Sequence, residues 1–257
     1  MFVAPSRPLP APLLRSVLDA SETDGWSLPD VSPWFGPFLP AFVRATLRAG
    51  GSVRAALAGR RAVALALDDP AERSATVFGG REDAVRALAL PLRGRAVFSE
   101  LPLDGRAETY RIVSVDLDSV PPAVFRHPVR LLDPAEVPGF LAGLRGAAGR
   151  PDEPWARQLR GSEESAFGAT VDGTPAGLAW AAVAGGHARL HSVWVAPRFR
   201  RLGVGSDLVF ARLLWARTEG ARSAIAEIAA GNAASLATVA RAGFAPVGAM
   251  YLRAAAG

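Results

Sequence analysis

The chain has 257 residues, half of them hydrophobic (50%) and 21% charged, the make-up of a globular protein long enough for one large domain or two small ones. It has no cysteine, which excludes disulfides, thiolate metal sites and a cysteine nucleophile. The formal net charge of +5 rests on arginine, without lysine and without a basic run or basic helix face, so it disfavours a dedicated nucleic-acid module and suits an anionic cofactor equally well.

The first 18 residues are apolar but interrupted by Pro5, Pro8, Pro10 and Pro12. They lack the basic start and continuous apolar core of a secretory leader, so the expectation is a cytoplasmic protein. The longest nearly unbroken small or apolar run, 176–186, is too short to cross a bilayer as a helix. Up to residue 50, Trp26, Trp34, Phe35 and Phe38 are set among Pro29, Pro33, Pro37 and Pro40. This reads as an irregular segment that packs its aromatics onto a later core. A short helix is predicted at 41–49, stopped by Gly50-Gly51. Strands follow at 52–58, 61–67 and 74–78, then a helix at 82–89 and strands at 96–99 and 109–115. The proline-bearing stretch 121–128 is the expected joint between a first domain, 1–125, and a second, 126–257.

The second half opens with a strand at 129–132. Asp133-Pro134-Ala135-Glu136 then supplies an N-cap, a proline at the first helical position and a capping-box acid for a helix over 137–144. A second helix is predicted at 153–159. Strands at 166–171 and 176–184 form a hairpin across Asp172-Gly173, with another strand at 188–195. A helix at 207–218 ending at Gly220, a strand at 223–229, a helix at 233–242 and a strand at 246–253 complete the chain. Both halves contain three strands, a helix and a further strand, the pattern of a degenerate tandem copy. The class is α/β with a mixed sheet.

Chemistry concentrates at Val195-Ala196-Pro197-Arg198-Phe199-Arg200-Arg201-Leu202-Gly203-Val204-Gly205-Ser206, between a predicted strand and a predicted helix. Phosphate binding needs backbone N–H groups converging at the positive end of a helix dipole. Gly203 and Gly205 let the backbone approach closely, and Arg200 and Arg201 offer charge-assisted contacts. A dinucleotide fingerprint would need glycine where Leu208 stands, and a P-loop needs a lysine that the chain lacks. A second landmark is Asn232-Ala233-Ala234-Ser235 followed by Ala242-Gly243-Phe244, a helix N-cap and a glycine helix stop.

Arg200-x-x-Gly203-x-Gly205 after Val195-x-Pro197 resembles the pyrophosphate loop of the GNAT (GCN5-related N-acetyltransferase) superfamily. Asn232-x-x-Ser235 with Gly243-Phe244 resembles its second conserved segment. The resemblance covers 128 to the C-terminus and looks closest to the subgroup with a diverged N-terminal half, as in glycine-acyltransferase-like proteins. It implies a GNAT fold in the second half, preceded by a smaller, degenerate GNAT-like domain that shapes structure or acceptor and is not a second CoA site. It implies acetyl-CoA or another acyl-CoA as cosubstrate, no metal, and direct transfer to a primary amine in a ternary complex. Pantetheine would lie between the strands at 188–195 and 223–229, on backbone groups of Val193, Trp194 and Val195. The amides of Leu202, Gly203, Val204, Gly205 and Ser206 would hold the pyrophosphate, with Asn232 and Ser235 close to the cofactor.

For the proton-accepting base the resemblance points first to Glu227, whose other reading is a strand carboxylate that is solvated or paired with an arginine. His191 is the second candidate, with a hydrogen-bonded, half-buried histidine as its plainer reading. His187 and His191 have zinc-ligand spacing only for a helix and sit in a predicted strand, so a metal is rejected. Val239 stands where the family often has the tyrosine that protonates the leaving thiolate; Tyr251, Ser235, Ser192 or water are the substitutes. Trp155 with Glu163 and Glu164 forms either an acidic rim for a cationic acceptor or a solvated loop. The rival functions are a CoA-binding regulatory protein without turnover and an arginine-rich nucleic-acid-binding module. A homodimer is compatible with the sequence, which does not set the oligomeric state.

Overall fold

The computed structural model describes residues 4–8, 14, 17–18, 34–58, 61–70, 73–92, 94–103, 107–148 and 164–255. The helix expected at 153–159, and Trp26, Trp155 and Glu163, lie outside them. The chain forms two compact units, one of Met1–Arg111 with Ala249–Gly257 and one of Ile112–Gly248. The division falls inside a strand, after Arg111, and not in the proline-bearing stretch where the sequence suggests a joint. No described helix is long and apolar enough to cross a membrane.

The first unit runs β1 (Ala4–Pro8), α1 (Leu39–Arg48), β2 (Ser52–Ala58), β3 (Arg61–Asp69), β4 (Ser74–Phe78), α2 (Glu82–Ala89) and β5 (Ala96–Ser99), then enters β6 (Ala107–Asp116). Its sheet order is β1-β2-β3-β4-β5-β12, with the last strand, β12 (Ala245–Arg253), returning from the far end of the chain. The strand β1 corrects the expectation of an irregular N-terminal segment. It pairs antiparallel with β2 at the sheet edge, the place in a sheet where prolines are tolerated. β2, β3 and β4 are antiparallel and β4 runs parallel to β5, the crossover being α2. Ala64, Val77, Val85, Leu88 and Val97 are fully buried in the resulting core.

The second unit continues from β6 through β7 (Val129–Leu131), α3 (Val137–Ala148), β8 (Ser165–Val171), β9 (Thr174–Ala184), β10 (His187–Val195), α4 (Val204–Thr218), β11 (Ser223–Ala229) and α5 (Ala233–Arg241). Its sheet order is β6-β11-β10-β9-β8-β7. The pattern repeats that of the first unit: antiparallel strands, a helix, and a strand parallel to the preceding one. The mixed α/β class with a tandem organisation is therefore observed.

Local chemistry explains the joints. Asp172 and Gly173 both take positive φ, 48° and 74°, as a two-residue hairpin demands. Asp133 accepts from the Ala135 amide (2.8 Å) while Glu136 accepts from the Asp133 amide (3.0 Å), completing the expected capping box. Asn232 caps α5 through its side chain, accepting from the Ser235 amide at 3.1 Å. At the other end Gly243 takes φ 91°, its N–H reaches Ala240 O and the Phe244 N–H reaches Val239 O, a Schellman stop. Gly177 in β9 has a different use. A Cβ there would lie 2.9 Å from both Leu208 Cδ1 and Val204 Cγ1, so its absence lets the first turns of α4 pack directly on the sheet.

Candidate functional site

The second unit opens a gap in its own sheet. β10 and β11 are parallel neighbours only over His187–Arg189 and Ser223–Ile225; beyond these pairs the strands part. Just before the gap widens, β10 is bulged. His191 pairs with Trp180 and Trp194 with Leu178, so β10 carries one extra residue between them, and Ser192 takes φ 52°. A bulge re-aims backbone amides that a regular strand would commit to its neighbour. Val193 is exposed, and Trp194 and Val195 are half-buried.

The chain then turns through a 3-10 segment, Pro197–Phe199, into the glycine loop. Arg201 and Gly203 have positive φ (68° and 102°), and Gly203 is the N-cap residue of α4. Alternation of ordinary and left-handed residues makes a concave row of N–H groups, and the first turn of a helix leaves its amides unpaired. The loop thus presents donors to an anion at the positive end of α4. Leu202 is exposed, Gly203, Gly205 and Ser206 are half-buried, and Val204 is buried in the core.

Two arginines of the loop differ from the simple expectation. Arg200 turns back, its Nε donating to Val195 O at 3.1 Å, and so fastens the loop to the end of β10. Arg126, which the sequence did not single out, lies against the loop: a Cβ on Gly203 would meet Arg126 Cδ at 2.9 Å. Its backbone N–H, with that of His127, donates to the buried Asp207 carboxylate in the first turn of α4 (3.3 and 3.1 Å), and His127 Nδ1 lies 2.8 Å from Asp207 Oδ2. No motif spacing could have revealed this link, which spans about eighty residues.

On the parting strands a polar cluster forms. Arg189 Nε donates to Glu227 Oε1 at 2.8 Å, with Arg189 Nη1 4.0 Å from Glu164 Oε1. Burial opposes the Arg189 charge, but Glu227 and Glu164 outweigh it and raise its proton affinity. His191 Nε2 is buried and lies 3.0 Å from Glu164 Oε1, and its Nδ1 is 3.0 Å from Ser192 Oγ. Burial first, and the Arg189 charge second, lower the His191 pKa from 6.5, so the imidazole is neutral at pH 7. A neutral imidazole keeps one ring nitrogen able to accept a proton, whereas a carboxylate oxygen held by a guanidinium is already engaged. His187 instead has its Nδ1 2.7 Å from Ser223 Oγ.

Of the residues singled out from the sequence, the structure gathers His191, Ser192, Val193, Trp194, Val195 and Glu227 on the parting strands. Arg200, Arg201 and Leu202 through Ser206 form the adjoining loop, and Asn232 and Ser235 start α5. Tyr251 belongs to the first unit, opposite Ser99 of β5. Val239 is buried in the second unit's core. The corresponding place in the first unit is closed. β4 and β5 pair along Ser74–Val77 and Ala96–Ser99, and the Gly79 amide donates to Glu100 Oε2 at 3.2 Å. The first turn of α2 carries its own acids, Glu82 and Asp83, so no anion site remains open there.

Residues 138–244 match the family model described as Acetyltransferase (GNAT) family, so this segment is a GNAT domain. A search of curated proteins finds no match. Among solved structures, a tandem GNAT protein from the clavulanic acid biosynthesis pathway is 19% identical with a TM-score of 0.57, over 95% of this chain and 94% of that one. A Drosophila protein reaches a TM-score of 0.62 at 13% identity, over 96% and 97%. A putative GNAT-family acetyltransferase from Novosphingobium aromaticivorans is 20% identical with a TM-score of 0.55, over 76% and 87%. At these identities the likeness is one of fold, and it extends through both halves of the chain.

Proposed function

We propose that the protein is an acyl-CoA-dependent N-acyltransferase whose cofactor site lies wholly in the second unit. The observation that carries this is the parting of β10 from β11 directly beside an anion-receiving helix N-terminus. A pantetheine chain fits the gap as a surrogate strand on Val193, Trp194 and Val195, and the Leu202–Ser206 amides receive the pyrophosphate. Arg201 and Arg126 stand at the loop for the phosphates. Acetyl-CoA is the favoured cosubstrate, from a cytoplasmic pool.

The acceptor is a primary amine. It loses a proton to a base on the parting strands and attacks the thioester carbonyl; the C–N bond forms, the C–S bond breaks, and the leaving thiolate takes up a proton. A bulge amide near Ser192–Trp194 stabilises the negative charge that develops on the carbonyl oxygen. His191 is the better-placed base, because Glu227 is committed to Arg189. Asn232 and Ser235 act through the α5 cap. The thiolate's proton comes from Ser192, Ser235 or water, since Val239 is packed in the core.

Calorimetric titration of acetyl-CoA into the wild type, Gly203→Trp and Arg200→Ala tests the assignment. Saturable binding by the wild type that is lost in a folded Gly203→Trp protein is expected, with a weaker effect of Arg200→Ala through the loop's fastening. Absence of binding by folded wild type, with longer acyl-CoAs also tried, overturns it.

A further inference from the structure

The most unusual side chain in the second unit is Arg212, at the centre of α4. It is 1% exposed, among helix neighbours Leu208, Val209, Leu213 and Ala216 that are all buried and apolar. Among the described residues no carboxylate pairs with it. Its hydrogen bonds go to main-chain carbonyls: Nε donates to Leu208 O at 2.9 Å, and Nη1 to Trp180 O at 2.9 Å and His191 O at 3.3 Å. Burial alone lowers its pKa to about 9.

An unpaired guanidinium in a core is strongly unfavourable relative to an apolar side chain of like volume. Packing therefore does not explain it. What the charge does is specified by its two distant acceptors. Trp180 and His191 face each other across β9 and β10, and they are the last regular pair before the bulge. Their carbonyls meet one nitrogen from the helix behind. The conformation from which Ser192 departs at φ 52° is thus clamped at its first residue.

We propose that Arg212 is a positioning residue that holds the β10 bulge in register through the His191 carbonyl, and so aims the amides of Ser192, Val193 and Trp194 at the thioester carbonyl. This role rests on the acyl-CoA assignment above. Arg212 acts on the direction of those donors and not on the phosphate loop, so its loss weakens carbonyl polarisation more than cofactor affinity, most of which rests on the loop. The packing of α4 on Gly177 keeps the helix, and with it the loop, in place.

The experiment follows the carbonyl stretch of [1-13C]acetyl-CoA bound to the full-length wild type, Arg212→Gln and Arg212→Lys, alongside calorimetric Kd values and near-ultraviolet circular dichroism. The wild type is expected to shift the stretch to lower frequency, as hydrogen-bonded carbonyls do. Arg212→Gln returns it toward the free position with Kd changed by no more than about threefold, under 1 kcal/mol. Arg212→Lys, which keeps the charge and one donor, gives an intermediate shift and decides the matter if the Gln variant does not fold. An unchanged shift in either folded variant overturns the proposal, as does wild-type binding without any shift. Failure of the wild type to bind acetyl-CoA overturns instead the assignment on which the role rests.

Discussion

His191 and Glu227 occupy the same parting strands but meet different surroundings, and two measurements follow from that. With a His191 pKa held below 6.5 by burial and Arg189, the neutral form prevails at pH 7. kcat/KM for acetyl transfer is expected to fall on acidification with a midpoint below 6.5, and His191→Asn to remove that limb; its survival in the variant would place the base elsewhere. The same depression has a stability consequence. The unfolded chain protonates first, so the contribution of neutral His191 is complete above 6.5 and is lost as pH falls toward the lower folded value. Glu227 behaves as half of a pair. Glu227→Gln is expected to cost about 2 kcal/mol in urea unfolding by leaving Arg189 under-compensated, and adding Arg189→Met should recover part of it. Strict additivity of the two would show that the pair carries no coupling.

At the scale of elements, the site is held by features whose removal is local. Asn232→Ala leaves the Ser235 amide without its cap and should cost about 1 kcal/mol, read as a lower denaturation midpoint with an unchanged slope. Gly177→Val acts differently. Its new side chain meets Leu208 and Val204, so α4 must move off β9, and the loop moves with it. A drop in acetyl-CoA affinity of at least about tenfold is expected, since small displacements of a positioned site are costly. Unchanged affinity in a folded Gly177→Val protein would mean that the loop is set independently of the helix–sheet distance.

At the scale of the molecule, the first unit takes its last strand from the end of the chain. Residues 249–253 complete the first unit's sheet: Tyr251, Leu252 and Arg253 pair with Ser99, Phe98 and Val97, and Arg253 Nη2 donates to Ala89 O and Leu92 O. Ending the chain after Gly248 should therefore expose β5, seen as faster amide hydrogen exchange over 96–99. Unaltered exchange there would show that the β12 segment is dispensable to the first unit. Unit by unit the pattern repeats, but only the second has parted strands and an open helix N-terminus. That asymmetry underlies the proposal of a single site, in the second unit.

The elements and the loop were legible in the residues because they are set within a few positions of chain. Alternating apolar residues, Asp172-Gly173, Asn232 with its cap, and Gly203 at positive φ are choices that backbone sterics make locally. The edge strand β1 escaped, since its prolines are permitted only by a sheet position that no local rule reveals. Tertiary structure decided the rest. It determined that β10 parts from β11 while β4 stays paired with β5. It turned Arg200 onto Val195 and set Arg126 beside Gly203. It tied Glu227 to Arg189, and it placed Arg212 behind the His191 carbonyl. Each depends on which distant groups are brought within hydrogen-bond reach and sealed from water, and such closeness in space leaves no mark in sequence spacing.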